Sequence, residues 1–219
     1  MTKSDPPVSR RAFGTLSSVA AAATLTGIAG CSDASEDEET SAATDSPREH
    51  LIDTIYQTCF VVTDMEASIK EWTEKLKIGP FLVFESFVMN DKDGAPLPFD
   101  IKIGLAYSGD SFIELIQPND DRPSIYSDVA NNGGGFHHIA KLTNDLDASI
   151  AEAEAAGYPL AVLGHFDPGN RLAYVDARAT YGGYMEYVEY NEFIGGLLHY
   201  MRDAAENWDG VTPTMPFPE

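Results

Sequence analysis

Two stretches of this 219-residue chain align with each other without a gap. Gln57-Thr-Cys-Phe-Val-Val-Thr-Asp64-Met-Glu-Ala-Ser-Ile69 lies over His138-Ile-Ala-Lys-Leu-Thr-Asn-Asp145-Leu-Asp-Ala-Ser-Ile150. A second echo follows in each half, Phe112-Ile-Glu114-Leu-Ile and Tyr184-Met-Glu186-Tyr-Val. The same pattern of side chains selects the same local structure, so the core has to be built from two copies of one block.

Each block reads as strand, helix and three strands. Ile55 to Val62 is rich in β-branched and aromatic residues, as strands are. Ile55, Gln57, Cys59 and Val61 share one face of it, and Tyr56, Thr58, Phe60 and Val62 the other. Asp64 caps a helix with Met65, Ile69, Trp72 and Leu76 on one stripe, and Gly79-Pro80 ends it. Strands follow at Phe81–Met89, Ile101–Tyr107 and Ser111–Gln117. Asn90–Gly94 is a turn-rich insert, and Gly109-Asp110 closes a tight hairpin. In the second copy, His138–Leu142 is the strand and Asp145 caps a helix that ends at Gly157. Pro159–Phe166, Leu172–Asp176 and Tyr184–Tyr190 are strands, with a turn at Asp167-Pro168-Gly169-Asn170. The fold class is therefore α+β, with two tandem βαβββ modules at residues 51–118 and 136–190. Ser124 to Gly135 joins them and has the Gly and Asn of a flexible joint. Residues 191–219 form a tail, with an amphipathic helix at Glu192–Asn207 weakened by Gly195-Gly196. Pro213–Pro218 carries no signal of regular structure. The tail reads as a cover for the domain or for a partner subunit.

The order of elements, the repeat and the sequences GPF, FIELIQP, GGGFHHIA and YMEYVE resemble the vicinal oxygen chelate superfamily over roughly residues 52 to 190. That superfamily includes glyoxalase I, methylmalonyl-CoA epimerase, extradiol dioxygenases and bleomycin-resistance proteins. The resemblance implies eight strands closing into a cup around a divalent metal. It maps the ligands onto Gln57, Glu114, His138 and Glu186, two from each module. Zinc-type glyoxalase I has this Gln, Glu, His, Glu combination, whereas many relatives have His where Gln57 stands.

An amide, an imidazole and two carboxylates are mid-to-hard donors, suited to Zn, Ni, Co, Mn or Fe(II). Two carboxylates and a dication leave a nearly neutral core, which lowers the cost of burying charge. The chemistry this supports is proton abstraction next to a carbonyl on a small, partly apolar substrate chelated through oxygen atoms, the work of a lyase or isomerase. Glu186 is the first candidate for the proton shuttle and Glu114 the second. The aromatic cup candidates are Phe84, Tyr107, Phe112, Tyr126, Tyr174 and Tyr184. His137 neighbours His138 but by strand alternation faces the other side, toward the helix. His165 and Glu189 are further candidate ligands, and Arg122, Arg171 and Arg178 candidate holders of a substrate carboxylate. Two other functions stay open. One is a non-catalytic sequestering cup. The other is an extradiol-type dioxygenase, which needs a second His where Gln57 stands.

The first 31 residues read as an address. Ser9-Arg10-Arg11-Ala12-Phe13 is a twin-arginine pattern, an apolar run from Leu16 to Ala29 follows, and Ile28-Ala29-Gly30-Cys31 resembles a lipobox with Cys31 as the lipidated residue. Residues 32–50 are an acidic linker without an apolar cluster, and such a segment does not order itself. The expected location is exported, as a periplasmic or cell-envelope lipoprotein. Glutathione adducts and CoA esters are chiefly cytoplasmic and would be scarce there. With Cys31 acylated, Cys59 has no disulfide partner and reads as a small buried hydrophobe. The formal charge of −21 argues against nucleic acid, which needs a basic surface. It also disfavours anionic lipid heads, so membrane contact is expected through the lipid at Cys31 alone. The sequence leaves open whether one chain closes its own cup or exchanges modules with a second copy in a homodimer.

Overall fold

In a computed structural model of the protein, residues 51–166 and 169–218 are described. The twin-arginine pattern, Cys31, the acidic linker and Asp167-Pro168 of the expected turn lie outside them.

The first module runs β1 (Ile55–Val61), α1 (Met65–Glu71), β2 (Phe81–Phe87), β3 (Asn90–Asp91), β4 (Ile101–Ser108) and β5 (Ser111–Pro118). A short helix, α2 (Ser127–Asn131), leads into the second: β6 (Gly135–Thr143), α3 (Leu146–Ala155), β7 (Leu160–Phe166), β8 (Asn170–Asp176), α4 (Arg178–Tyr181) and β9 (Tyr184–Glu189). The chain then forms α5 (Glu192–Glu206) and β10 (Thr214–Met215). All the strands join one curved sheet in the order β10-β2-β4-β5-β1-β6-β9-β8-β7-β3. At its centre β1 and β6 run antiparallel, so the two modules of one chain close the cup.

The duplication sets the pairing. In module one β1 lies parallel to β5 with Gln57 beside Phe112, and in module two β6 lies parallel to β9 with His138 beside Tyr184. The two helices start alike. Asp64 accepts from the Ala67 N–H and Asp145 from the Ala148 N–H, each at 2.9 Å, satisfying an N–H that the helix itself leaves unpaired.

The structure departs from the sequence reading in five places. Leu76 is 55% exposed, because α1 widens into a π turn at Trp72–Leu76 and buries Thr73 instead. The joint before β6 is not loose: it holds α2, and the Tyr126 ring is fully buried there. The Asn90–Gly94 insert contributes β3, which crosses to the far edge and pairs with β7. The proline-rich end adds β10, parallel to β2, with the Phe81 N–H donating to the Pro213 carbonyl at 2.9 Å. The sheet therefore has ten strands rather than eight. The fifth departure, at His137, belongs to the site.

The tail helix covers the cup of its own chain. Ile194, Leu198 and Met201 of α5 are buried in the same apolar cluster as Tyr56, Phe112 and Tyr174. Gly195, unfavourable in a helix by propensity, leaves room for the Tyr190 hydroxyl, which a Cβ there would displace.

Candidate metal centre and its cavity

Gln57, Glu114, His138 and Glu186 converge where β1 and β6 meet. All four are buried, His138 completely. His138 Nε2 lies 3.1 Å from Glu114 Oε2 and 3.2 Å from Glu186 Oε2, and the Gln57 amide donates to Glu114 Oε2 at 3.0 Å. Although two carboxylate oxygens are this near, His138 Nε2 meets neither at a hydrogen-bonding angle. A buried nitrogen aimed between two carboxylates is answered by a proton when no metal is bound and by a shared cation when one is. The spacing fits as well. Ligand atoms about 2.1 Å from one ion sit about 3.0 Å apart in an octahedron and about 3.4 Å in a tetrahedron. Glu114, His138 and Glu186 are thus a group able to hold a divalent ion. Gln57 presents its amide nitrogen to Glu114, so ligation through its oxygen requires the amide to turn over.

The electrostatics agree with an acidic, dry site. Burial raises the Glu114 carboxyl, and His138 pulls it partly back. Burial lowers the His138 imidazole, but the Glu186 and Glu114 charges overcome this and leave it raised to about 9. Burial, then the Glu114 charge, pushes the Cys59 thiol well up, so it stays protonated as a core residue.

A cavity of about 370 Å³ opens from this cluster. Gln57, Glu114 and Glu186 reach its floor, while Phe84, Tyr126 and Tyr174 line it with Ile103, Leu105 and Val188. Among the described lining residues none is Lys or Arg. Three of the six aromatic candidates sit elsewhere. Phe112 is fully buried against Tyr56 and Tyr107, Tyr107 carries Arg202 on its ring, and Tyr184 carries Arg178. Sequence reasoning missed Tyr56, Phe193, Ile194 and Leu197, which also line the cavity. The last three belong to α5, and its apolar stripe was the available signal.

The remaining candidates lie off the cluster. Arg122 pairs with Asp120, Arg171 with Asp147 and Glu189, and Arg178 with Asp176. His165 sits on β7 opposite Asn90.

His137 does not turn toward the helix. Between β1 and β6, Cys59 pairs with His138 but Phe60 with Phe136, so His137 is the extra residue of a β-bulge. A bulge breaks the alternation of faces, and His137 packs 1% exposed beside His138. Burial, then the His138 charge, lowers its imidazole to about 3. Tyr56 is the bulged residue of β1, at the position equivalent to His137 in the repeat.

Gly183 lets the chain before β9 pass this bulge. A Cβ there would overlap the Phe136 ring and stand 2.6 Å from the His137 carbonyl oxygen. Gly183→Ala is expected to cost about 1–3 kcal/mol by overpacking. Urea unfolding checks this, and an unchanged midpoint and slope would contradict it.

Residues 56–174 match the family described as Glyoxalase/Bleomycin resistance protein/Dioxygenase superfamily. No curated protein matches the chain. Among solved structures it is similar to a methylmalonyl-CoA epimerase from Mycobacterium tuberculosis, with 18% identity, a TM-score of 0.49, and coverage of 67% of this chain and 93% of that one. A hypothetical protein from Bacillus halodurans C-125 gives 22%, 0.47, 64% and 95% in the same order. A Streptomyces coelicolor methylmalonyl-CoA epimerase variant in complex with 2-nitronate-propionyl-CoA gives 22%, 0.47, 64% and 95%. Nothing about reaction or substrate follows at this level of likeness.

Proposed function

Because the chain belongs to the Glyoxalase/Bleomycin resistance protein/Dioxygenase superfamily, we propose that it is a metal-dependent lyase or isomerase that moves a proton at a carbon next to a carbonyl. Its substrate is small, uncharged and partly apolar, and is held through oxygen atoms. The observation that carries this reading is the Glu114–His138–Glu186 cluster at the floor of an apolar cavity.

A bound divalent cation would be held by Glu114, His138 and Glu186, with Gln57 as a fourth donor, and would polarise the substrate oxygen as a Lewis acid. The protein's own groups do the rest. Glu186 faces the cavity and has only His138 as a partner among the described residues, so it is free to take and return the proton. Glu114 has both His138 and, until the Gln57 amide turns over, its N–H as partners, which makes it the second candidate. The apolar walls exclude water and accept a ring or alkyl portion. An anionic thioester such as a CoA ester would find no cationic side chain on the described walls. The exported, lipid-anchored location inferred from residues 1–31 belongs to the same proposal and disfavours that substrate independently.

The test begins with elemental analysis of the purified protein. It continues with mass-spectrometric detection of C–H to C–D exchange in heavy water, using a panel of uncharged α-hydroxyketones and 1,2-diketones. One divalent ion per chain is expected, with exchange that chelation abolishes and metal restores. A folded protein that binds no metal would sink the proposal. One that binds metal and a panel compound without exchange would establish the sequestering alternative instead.

A further inference from the structure

We propose that His137 is a positioning residue: from its bulge in β6 it accepts the Nδ1–H of His138 and so holds the Nε2 lone pair of His138 toward Glu114 and Glu186. This rests on the divalent-cation reading of that cluster.

The two Nδ1 atoms lie 2.9 Å apart, and His137 Nε2 lies 3.0 Å from the Ile125 carbonyl oxygen. A carbonyl oxygen only accepts, so His137 Nε2 carries a proton and donates it. In a neutral ring the other nitrogen is then the acceptor. The proton between the rings therefore belongs to His138, and once His138 gives up its second proton to become a neutral ligand, the bare nitrogen is Nε2. That nitrogen meets the two carboxylate oxygens at 3.1 and 3.2 Å without a hydrogen-bonding angle to either. The chain of donors runs from His138 through His137 to the backbone before α2.

The packing holds this arrangement. The His137 ring lies between Tyr126 and Tyr184, with centroids at 4.7 and 5.1 Å and tilts of 37° and 31°. Its plane is set from both sides. Ordinary strand alternation would turn His137 away, so the bulge is what delivers a second imidazole to the first. A ligand histidine whose far nitrogen is held by an acceptor keeps its tautomer and ring orientation, and losing such a partner weakens metal binding by about 10- to 100-fold. Without the acceptor, the His138 proton is free to settle on Nε2, in the ligand position.

The test uses the full chain with zinc as the probe, in competition with a chromophoric chelator. His137→Phe keeps a ring between the two tyrosines but cannot accept a proton. His137→Gln offers an amide oxygen to His138 and an amide N–H to Ile125. The phenylalanine variant is expected to bind zinc about 10- to 100-fold more weakly than the parent, and the glutamine variant to recover most of that loss. In the 15N-labelled, zinc-loaded parent, scalar coupling across the hydrogen bond between the two Nδ1 atoms is expected, with the proton on His138. Equal zinc affinity in a folded phenylalanine variant would overturn the inference. So would a glutamine variant as weak as the phenylalanine one, or a shared proton that resides on His137. If the phenylalanine variant does not fold, the position of the proton in the parent decides. A parent that binds no zinc would instead refute the cation reading from which this starts.

Discussion

Glu186→Gln is expected to slow proton exchange by about 100- to 10,000-fold, the range for removing a positioned general base. The amide preserves the shape of the carboxylate but cannot take a proton. The backbone is held independently of the side chain, since β9 pairs with both β6 and β8 around this residue. Loss of one anionic donor also weakens metal binding, so the rate has to be compared at saturating metal with the metal content of each sample measured. Glu114→Gln should act in the opposite proportion. It is a candidate ligand and the second choice for the proton shuttle, so the larger effect is expected on metal affinity and the smaller on turnover. A Glu186→Gln variant that retains metal and full turnover would remove Glu186 from the proton-transfer role.

The second large effect is on stability of the metal-free chain as a function of pH. The His138 imidazole is raised to about 9 in the folded state by its two carboxylate neighbours, against 6.5 unperturbed. A raised base contributes stability that is fully present below the unfolded value and is lost as pH climbs through the folded one. Between pH 6.5 and 9 the metal-free chain should therefore lose about 3 kcal/mol. His137, lowered to about 3, works in the reverse sense and removes stability as pH falls below 6.5. Glu114, raised by burial, opposes that acid limb and blunts it. The alkaline limb is accordingly the clearer of the two. Urea unfolding at pH 6.5, 7.5 and 9 measures it, with chelator and then with saturating divalent cation. With cation bound, the alkaline loss should flatten, because the charge facing Glu114 and Glu186 no longer depends on a proton. Metal-free stability that is level or rises over that range would contradict this account of the buried cluster.

The repeat made the architecture legible because strand pairing follows the duplicated pattern. Gln57 beside Phe112 and His138 beside Tyr184 are the same register twice. The convergence of Gln57, Glu114, His138 and Glu186 followed from the same symmetry together with the family resemblance. What escaped reading depends on contacts between distant segments or on irregular backbone. Asn90-Asp91 is disfavoured in strands and Thr214-Met215 is a two-residue piece between prolines, and both become strands because an edge is available to pair with. Alternation assigned Tyr56 and His137 to the wrong face, because a bulge adds a residue that period-two counting cannot see. Tyr126 was legible as a cup aromatic, but the order of the segment around it was not: the Asn and Gly at 131–135 suggested a loose joint, whereas the ring packs against Phe99 and His137.

The paired bulges carry a stereochemical consequence. At equivalent places one half presents the phenol of Tyr56 and the other the imidazole of His137, next to Gln57 and His138 respectively. The duplicated architecture is close to twofold, but its chemistry is handed. Tyr56 lines the cavity whereas His137 stands behind His138 and does not, so the two ends of a symmetric dicarbonyl bound there would have unlike surroundings, and even an achiral guest has one preferred orientation. Delivery of hydrogen from a single carboxylate then favours one enantiotopic face, and the product should form with one predominant configuration.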